Sequence, residues 1–190
     1  GTQPTVAGQL LMEYEDGSQE WVRTDDSWHV TADGPWTMSG LYKGEAYDAR
    51  RLQRGWSKPG FNVSSWSAAE PRESGPTPGP RNSHVARVTE TLNVQEVITS
   101  PSGRTLLDFG QNLVGRLRFR VSGPAGHTIT LRHAEVLEDG ELGVRPLRVA
   151  TATDTYIFAG LGEEEWAPSF TFHGFRYAEV EGWPGDFDPS

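Results

Sequence analysis

A chain of 190 residues is long enough for one large or two small domains with a real hydrophobic core. It has no cysteine, which excludes disulfides and thiolate metal sites, and no apolar stretch approaches the roughly 20 residues of a membrane-spanning helix. A formal net charge of −9 and a sequence pI of about 5.0, without a basic patch, argue against nucleic acid and membrane partners.

The aromatic load is high, with seven Trp, eight Phe and five Tyr. Such residues suit β-sandwich cores. They also suit sugar-binding faces, where pyranose C–H groups stack on flat rings, and core packing is the commoner use. Residues 1–8 show no basic segment followed by an apolar run, so no signal peptide is expected there; location stays open between the cytoplasm and export.

In chain order, Gln9–Tyr14 reads as a strand, Asp16-Gly17 as a two-residue hairpin turn favouring positive φ, and Ser18–Thr24 as the return strand, its edge continuing through Trp28 and Val30. Residues 33–60 read as loop and short strand around Trp36, Tyr42, Tyr47 and Trp56. Residues 70–83, EPRESGPTPGPRNS, are rich in Pro, Gly and Ser and read as a linker. They divide a first region, 1–69, from a second, 84–190. Region 1–69 is short for a sandwich and looks like the end of a domain.

The second region has the cleaner strand pattern. Val94–Thr99 and Arg104–Phe109 flank the turn Ser100-Pro101-Ser102-Gly103. In Asn112–Val121, Leu113, Gly115, Leu117, Phe119 and Val121 share one face and Arg116, Arg118 and Arg120 the other, the period of a half-buried antiparallel strand. His127–Leu137, Thr153–Phe158 and Ser169–Val180 complete the expected sheet, and no helix longer than about two turns is expected. The fold class is therefore all-β: an antiparallel, jelly-roll-like β-sandwich with a partial β-domain ahead of it.

The common catalytic motifs are missing from the sequence: no Walker A loop, dinucleotide fingerprint, HExxH or nucleophile elbow. The five histidines, His29, His84, His127, His133 and His173, show no metal-ligand spacing, so no metal or other cofactor is expected. No catalytic residue is assigned. A glycosidase acid and base must face each other across a sugar, and no spacing here sets such a pair.

Three polar segments remain. Leu41–Arg50 sets Glu45, Asp48 and Arg50 among aromatics. These charges read either as a sugar contact, together with Trp36, Tyr42 and Trp56, or as an ion pair pinning an irregular loop, the second being favoured. Asp108–Gly115 reads either as a ligand loop or, preferably, as a strand corner whose Asp108, Gln111 and Asn112 satisfy buried backbone groups. In the strand Ile129, Leu131, His133, Glu135 the apolar face runs into two polar residues. Either a bulge turns them outward, or they need buried partners, for which Asp108, Gln111 and Arg176 are the candidates. A satisfied structural network is favoured over a catalytic dyad.

GEAYDAR (44–50), GWSKPGF (55–61), DFGQNLVGRLRFRVSGPAGHTITLRHAEVL (108–137), LRVATATDTY (147–156) and FTFHGFRYAEVEG (170–182) are similar to bacterial α-L-rhamnosidases of glycoside hydrolase family 78 over residues 10–182. The resemblance implies that 1–69 is the C-terminal portion of a lectin-like jelly roll and 84–190 a β-sandwich accessory domain. The inverting catalytic acid and base would belong to an (α/α)6 barrel not represented in these motifs. Some members bind L-rhamnose on the jelly roll with calcium. This chain has Lys43 where Asp is usual and Asn62-Val63 where acidic residues are common, so two of the carboxylates that would favour calcium are replaced.

Two functions follow as expectations: an accessory region that supports and orients the barrel, or a carbohydrate-binding module for L-rhamnose or plant glycans. The fragment itself is expected to be non-enzymatic, and its partners are the barrel and rhamnose-containing glycans.

Overall fold

A computed structural model of the chain describes residues 5–72, 79, 82 and 84–187. Among the described residues the chain runs through β1 (Gln9–Glu13), β2 (Gln19–Arg23), β3 (His29–Val30), β4 (Trp36–Gly40), β5 (Gly44–Asp48), β6 (Ser67–Ala68), β7 (Glu96–Thr99), β8 (Thr105–Gly115), β9 (Phe119–Ser122), β10 (Thr128–Ala134), β11 (Leu137–Glu138), β12 (Glu141–Leu142), β13 (Thr153–Ile157), β14 (Glu163–Trp166) and β15 (His173–Glu181). Two short 3-10 turns, Ala49–Arg51 and Arg145–Leu147, are the helical segments among these residues. The all-β expectation holds.

The chain divides into two compact units, Gly1–Asp33 with Arg54–Ala86, and Gly34–Gln53 with Arg87–Ser190. The linker expected over 70–83 lies mostly outside the described residues.

The first unit carries the β1–β2 hairpin, with Gln9 opposite Arg23 and Glu13 opposite Gln19. Its turn corrects the expected two-residue Asp16-Gly17 form: the Gly17 N–H donates to the Tyr14 carbonyl at 2.9 Å and the Tyr14 N–H to the Ser18 carbonyl at 3.0 Å, so the loop holds residues 15–17. Positive φ (80°) falls at Gly17 and not at Asp16, whose side chain accepts from the Ser18 backbone N–H at 2.9 Å. β3 and β6 form a second short ribbon, and Phe61 lies against Trp66 with ring centroids 5.8 Å apart.

The second unit is built on a seven-stranded sheet in the order β4-β5-β13-β10-β15-β8-β7. Its pairings are antiparallel except β5 with β13, which is parallel, Tyr47 lying opposite Tyr156. The expected antiparallel sandwich thus carries one parallel pairing. Residues 33–60 are loop and short strand as expected, and their short strands β4 and β5 extend the main sheet. Thus part of region 1–69 is integral to the second unit.

Gly44 permits this attachment. It has φ 107°, and a β-carbon there would lie 2.0 Å from the Thr153 carbonyl oxygen, so only glycine lets the start of β5 reach β13.

The core is a single cluster around Ile129, Leu131, Tyr156, Phe158, Phe175 and Val180, covered by Phe119 and Trp166 of the β9–β14 ribbon. Burying side chains as large as Phe158 (0% exposed) and Phe175 (1%) contributes about 1.5–3 kcal/mol each. The alternation read over 112–121 persists through a break. β8 ends at Gly115, β9 begins at Phe119, and Leu117 and Phe119 still point inward while Arg118 and Arg120 face out.

On β15, His173 and Phe175 point inward, and so do Ala178 and Val180. The parity changes because the β15–β8 register shifts between Phe175 and Tyr177, a bulge with Arg176 at its centre.

Candidate functional site

The second unit is distinguished by polar and acidic groups placed inside it. Glu45, Asp108, His133, Asp154, His173 and Glu179 are all buried.

Glu45, on β5, is fully buried. One carboxylate oxygen accepts from Trp36 Nε1 and Ser169 N, both at 3.1 Å, and the other from Ser169 N at 3.1 Å and Phe170 N at 2.7 Å. Of the two readings offered for Glu45, neither the sugar contact nor the arginine pair is what holds it: its oxygens hold the 168–170 segment and the Trp36 indole. Asp48 is likewise engaged. Arg50 donates to it from Nε at 2.9 Å and Nη2 at 2.8 Å, and this guanidinium holds its carboxyl below the usual carboxylate range.

Trp36 is packed edge-on against Tyr47 and Phe170, with centroids 5.2 and 5.3 Å away. Tyr42 has an exposed ring, while its carbonyl accepts the backbone N–H groups of Thr151 and Ala152 at 2.8 and 3.1 Å. Trp56 is an exposed residue of the first unit.

Asp108 and Arg176 meet across the β8–β15 pair. Arg176 donates through Nε and Nη2 to the two oxygens of Asp108, each at 2.8 Å, and the Gly110 N–H reaches Asp108 Oδ1 at 2.7 Å. The hydrogen-bonded guanidinium holds the Asp108 carboxyl below its ordinary range. Asn112 reaches Glu135 at 3.2 Å on the exposed surface, and Gln111 is exposed near them on β8.

His133 behaves differently from its expected partnership with Asp108, Gln111 or Arg176. β10 stays regular, so His133 continues the inward face of Ile129 and Leu131, whereas Glu135 lies past the strand end and is exposed. His133 Nδ1 lies 2.9 Å from the Ala152 carbonyl. A carbonyl only accepts, so Nδ1 carries the proton and Nε2 bears the lone pair. That Nε2 is buried without a hydrogen-bond partner, 3.9 Å from Asp154 Oδ2. Burial, followed by the neighbouring His173, pushes the His133 pKa down to about 4, so the ring is neutral at pH 7.

His173 stacks on His133 at 4.3 Å between centroids, and its Nε2 lies 3.1 Å from both oxygens of Asp154. Asp154 Oδ1 also accepts the Glu45 N–H at 2.9 Å. Donor atoms of His133, Asp154 and His173 all lie within 4.8 Å of one another.

This corrects the reading of the histidines as unclustered. The members of the group lie on β10, β13 and β15, neighbours in the sheet but about twenty residues apart in the chain. The available signal was polar residues at core-facing positions: Asp154 alternates with Tyr156, and His173 with Phe175.

The second unit is thus a mixed-sheet β-domain whose buried carboxylates are held by hydrogen-bond donors of its own chain. Residues 1–96 match the family model described as the alpha-L-rhamnosidase N-terminal domain, and residues 98–190 the bacterial alpha-L-rhamnosidase concanavalin-like domain. The chain belongs to the α-L-rhamnosidase family. It is 43% identical over 193 aligned residues to an alpha-L-rhamnosidase of Streptomyces avermitilis, covering 97% of this chain and 18% of the relative.

Native α-L-rhamnosidase from Aspergillus terreus superposes with a TM-score of 0.83 at 45% identity, over 96% of this chain and 21% of that one. The Streptomyces avermitilis enzyme complexed with L-rhamnose gives 0.82 at 43%, over 95% and 18%. The chain thus spans about a fifth of the length of these relatives.

Proposed function

We propose that this chain is the non-catalytic accessory β-region of an α-L-rhamnosidase, supporting and orienting a catalytic (α/α)6 barrel that hydrolyses terminal α-L-rhamnosides with inversion. One observation carries the reading. The chain aligns along nearly its whole length with the two β-domain models but with only about a fifth of each relative, while Glu45, Asp108 and Glu179 are engaged by donors of their own chain. Inverting glycosidases need two carboxyl groups about 6.5–9.5 Å apart across a sugar, free to exchange protons with substrate and water. Carboxylates buried under hydrogen bonds serve packing instead.

Replacing the matching segment of the Streptomyces avermitilis relative with this chain should preserve rhamnosidase activity. Deleting that segment should leave an insoluble or inactive protein. A deletion variant as active and as heat-stable as the intact enzyme would contradict the proposal.

A second reading rests on the first unit, where Trp21, Trp28 and Trp56 are 45%, 44% and 55% exposed. Flat exposed indoles suit stacking on a sugar. Calorimetry with L-rhamnose, with and without calcium, distinguishes a binding module from a purely supporting one: heat at millimolar sugar favours the module, and its absence removes useful affinity.

A further inference from the structure

We propose that His133, Asp154 and His173 form a buried site for one divalent transition-metal ion, best matched by zinc, which ties together the central strands β13, β10 and β15. The donors are two imidazole nitrogens and one carboxylate oxygen, a set suited to zinc. Ligands bound tetrahedrally at about 2.0–2.1 Å stand roughly 3.3 Å from one another. In the protein Asp154 Oδ2 stands 3.1 Å from His173 Nε2 and 3.9 Å from His133 Nε2, and the three donors lie within 4.8 Å of one another, so the stacked imidazoles would tilt and close by up to about 1.5 Å to share a single centre.

The orphaned nitrogen points to a cation. With Nδ1–H held by the Ala152 carbonyl, His133 leaves a buried Nε2 lone pair without a donor, 3.9 Å from an Asp154 oxygen that is itself an acceptor. A metal ion between them turns this repulsion into two bonds.

The surroundings match those of ligating side chains. An Nδ1–H···O=C bond sets the tautomer and aim of a metal-binding imidazole, and the Glu45 N–H orients the carboxylate through Asp154 Oδ1. On binding, the metal takes the place of the proton that His173 Nε2 donates to Asp154, and His173 takes up its Nδ1–H tautomer. All three residues are at most 4% exposed, so the ion would enter as the sheet assembles rather than through the finished fold.

The 190-residue chain, unfolded and refolded with zinc chloride or with EDTA and then desalted, tests the site. Mass-spectrometric metal analysis should find about one zinc per chain in the first arm, with a melting temperature at least ~5 °C above the EDTA arm. His133→Phe, which keeps an aromatic ring on the core face, should fold but lose the metal. X-ray absorption of the zinc-loaded wild type should show imidazole scattering, so the test stands even where the variant fails to fold. Zinc below about 0.1 per chain with equal melting in both arms, retention of full zinc by a folded His133→Phe variant, or a spectrum without imidazole would each overturn the proposal.

Discussion

Arg176 grips Asp108 with two parallel N–H···O bonds of 2.8 Å across the point where the β15–β8 register slips. Asp108 also accepts from Gly110 at 2.7 Å, so this one carboxylate secures both sides of the bulge. The bulge in turn sets which residues of β15 face the core.

The pair gives stability a defined pH dependence. The folded-state pKa of Asp108 is depressed by the Arg176 hydrogen bonds. Its contribution is therefore fully present above the unfolded aspartate pKa of about 3.9 and is lost as pH falls through the lower folded value. Asp108→Asn should lower stability at pH 7 by about 1–2 kcal/mol, a charged hydrogen-bond value discounted for partial exposure of Arg176. The wild-type advantage should shrink below about pH 4. Urea denaturation of both proteins from pH 7 to pH 3 checks this, and a pH-independent difference would contradict it.

Glu45→Ala should be more damaging. It would leave Ser169 N, Phe170 N and Trp36 Nε1 without their acceptor. Orphaned buried donors cost about 1–3 kcal/mol each, so a loss of at least ~3 kcal/mol is expected by chemical denaturation. An accompanying red shift of tryptophan emission would report release of Trp36. A variant within ~1 kcal/mol of wild type would show that the buried carboxylate is not a brace.

At Gly44, alanine would drive a methyl group into the Thr153 carbonyl and occupy a positive-φ backbone. β5 must then separate from β13, and the expected loss exceeds about 2 kcal/mol. Hydrogen exchange should locate it: amides of 44–48 lose protection while those of β8 keep theirs. Unchanged protection at 44–48 would count against the proposed role.

Arg120→Ala offers a contrasting case. Arg120 lies 3.5 Å from Glu165 and 3.8 Å from Glu163 on the exposed ribbon. Screened surface pairs of this kind contribute about 0–1 kcal/mol, so the melting temperature should scarcely move and should respond weakly to salt.

Much of this architecture is written locally in the chain. Gly17 marks the first hairpin because it takes a positive φ of 80° without strain, and the Leu117/Phe119 alternation marks the inward face leading into β9 because side chains point by parity. Features created by long-range pairing left no comparable local trace. β4 and β5 look irregular until β13 supplies a parallel neighbour a hundred residues away. The parity of β15 changes at a register shift, Arg176 lying opposite residues 109–112 of β8, that period-two reading passes over.

The polar sites divide in the same way. The segments around Glu45 and Asp108 stood out as charges among aromatics and glycines. The partners of His133 emerge only once β13, β10 and β15 are set side by side.

The purified chain incubated with p-nitrophenyl α-L-rhamnoside tests the central claim most directly. A supporting β-region releases no nitrophenol above the uncatalysed background, at any pH from 4 to 8. Sustained turnover that scales with the concentration of this chain and disappears on substituting one of its own carboxylates would contradict the account.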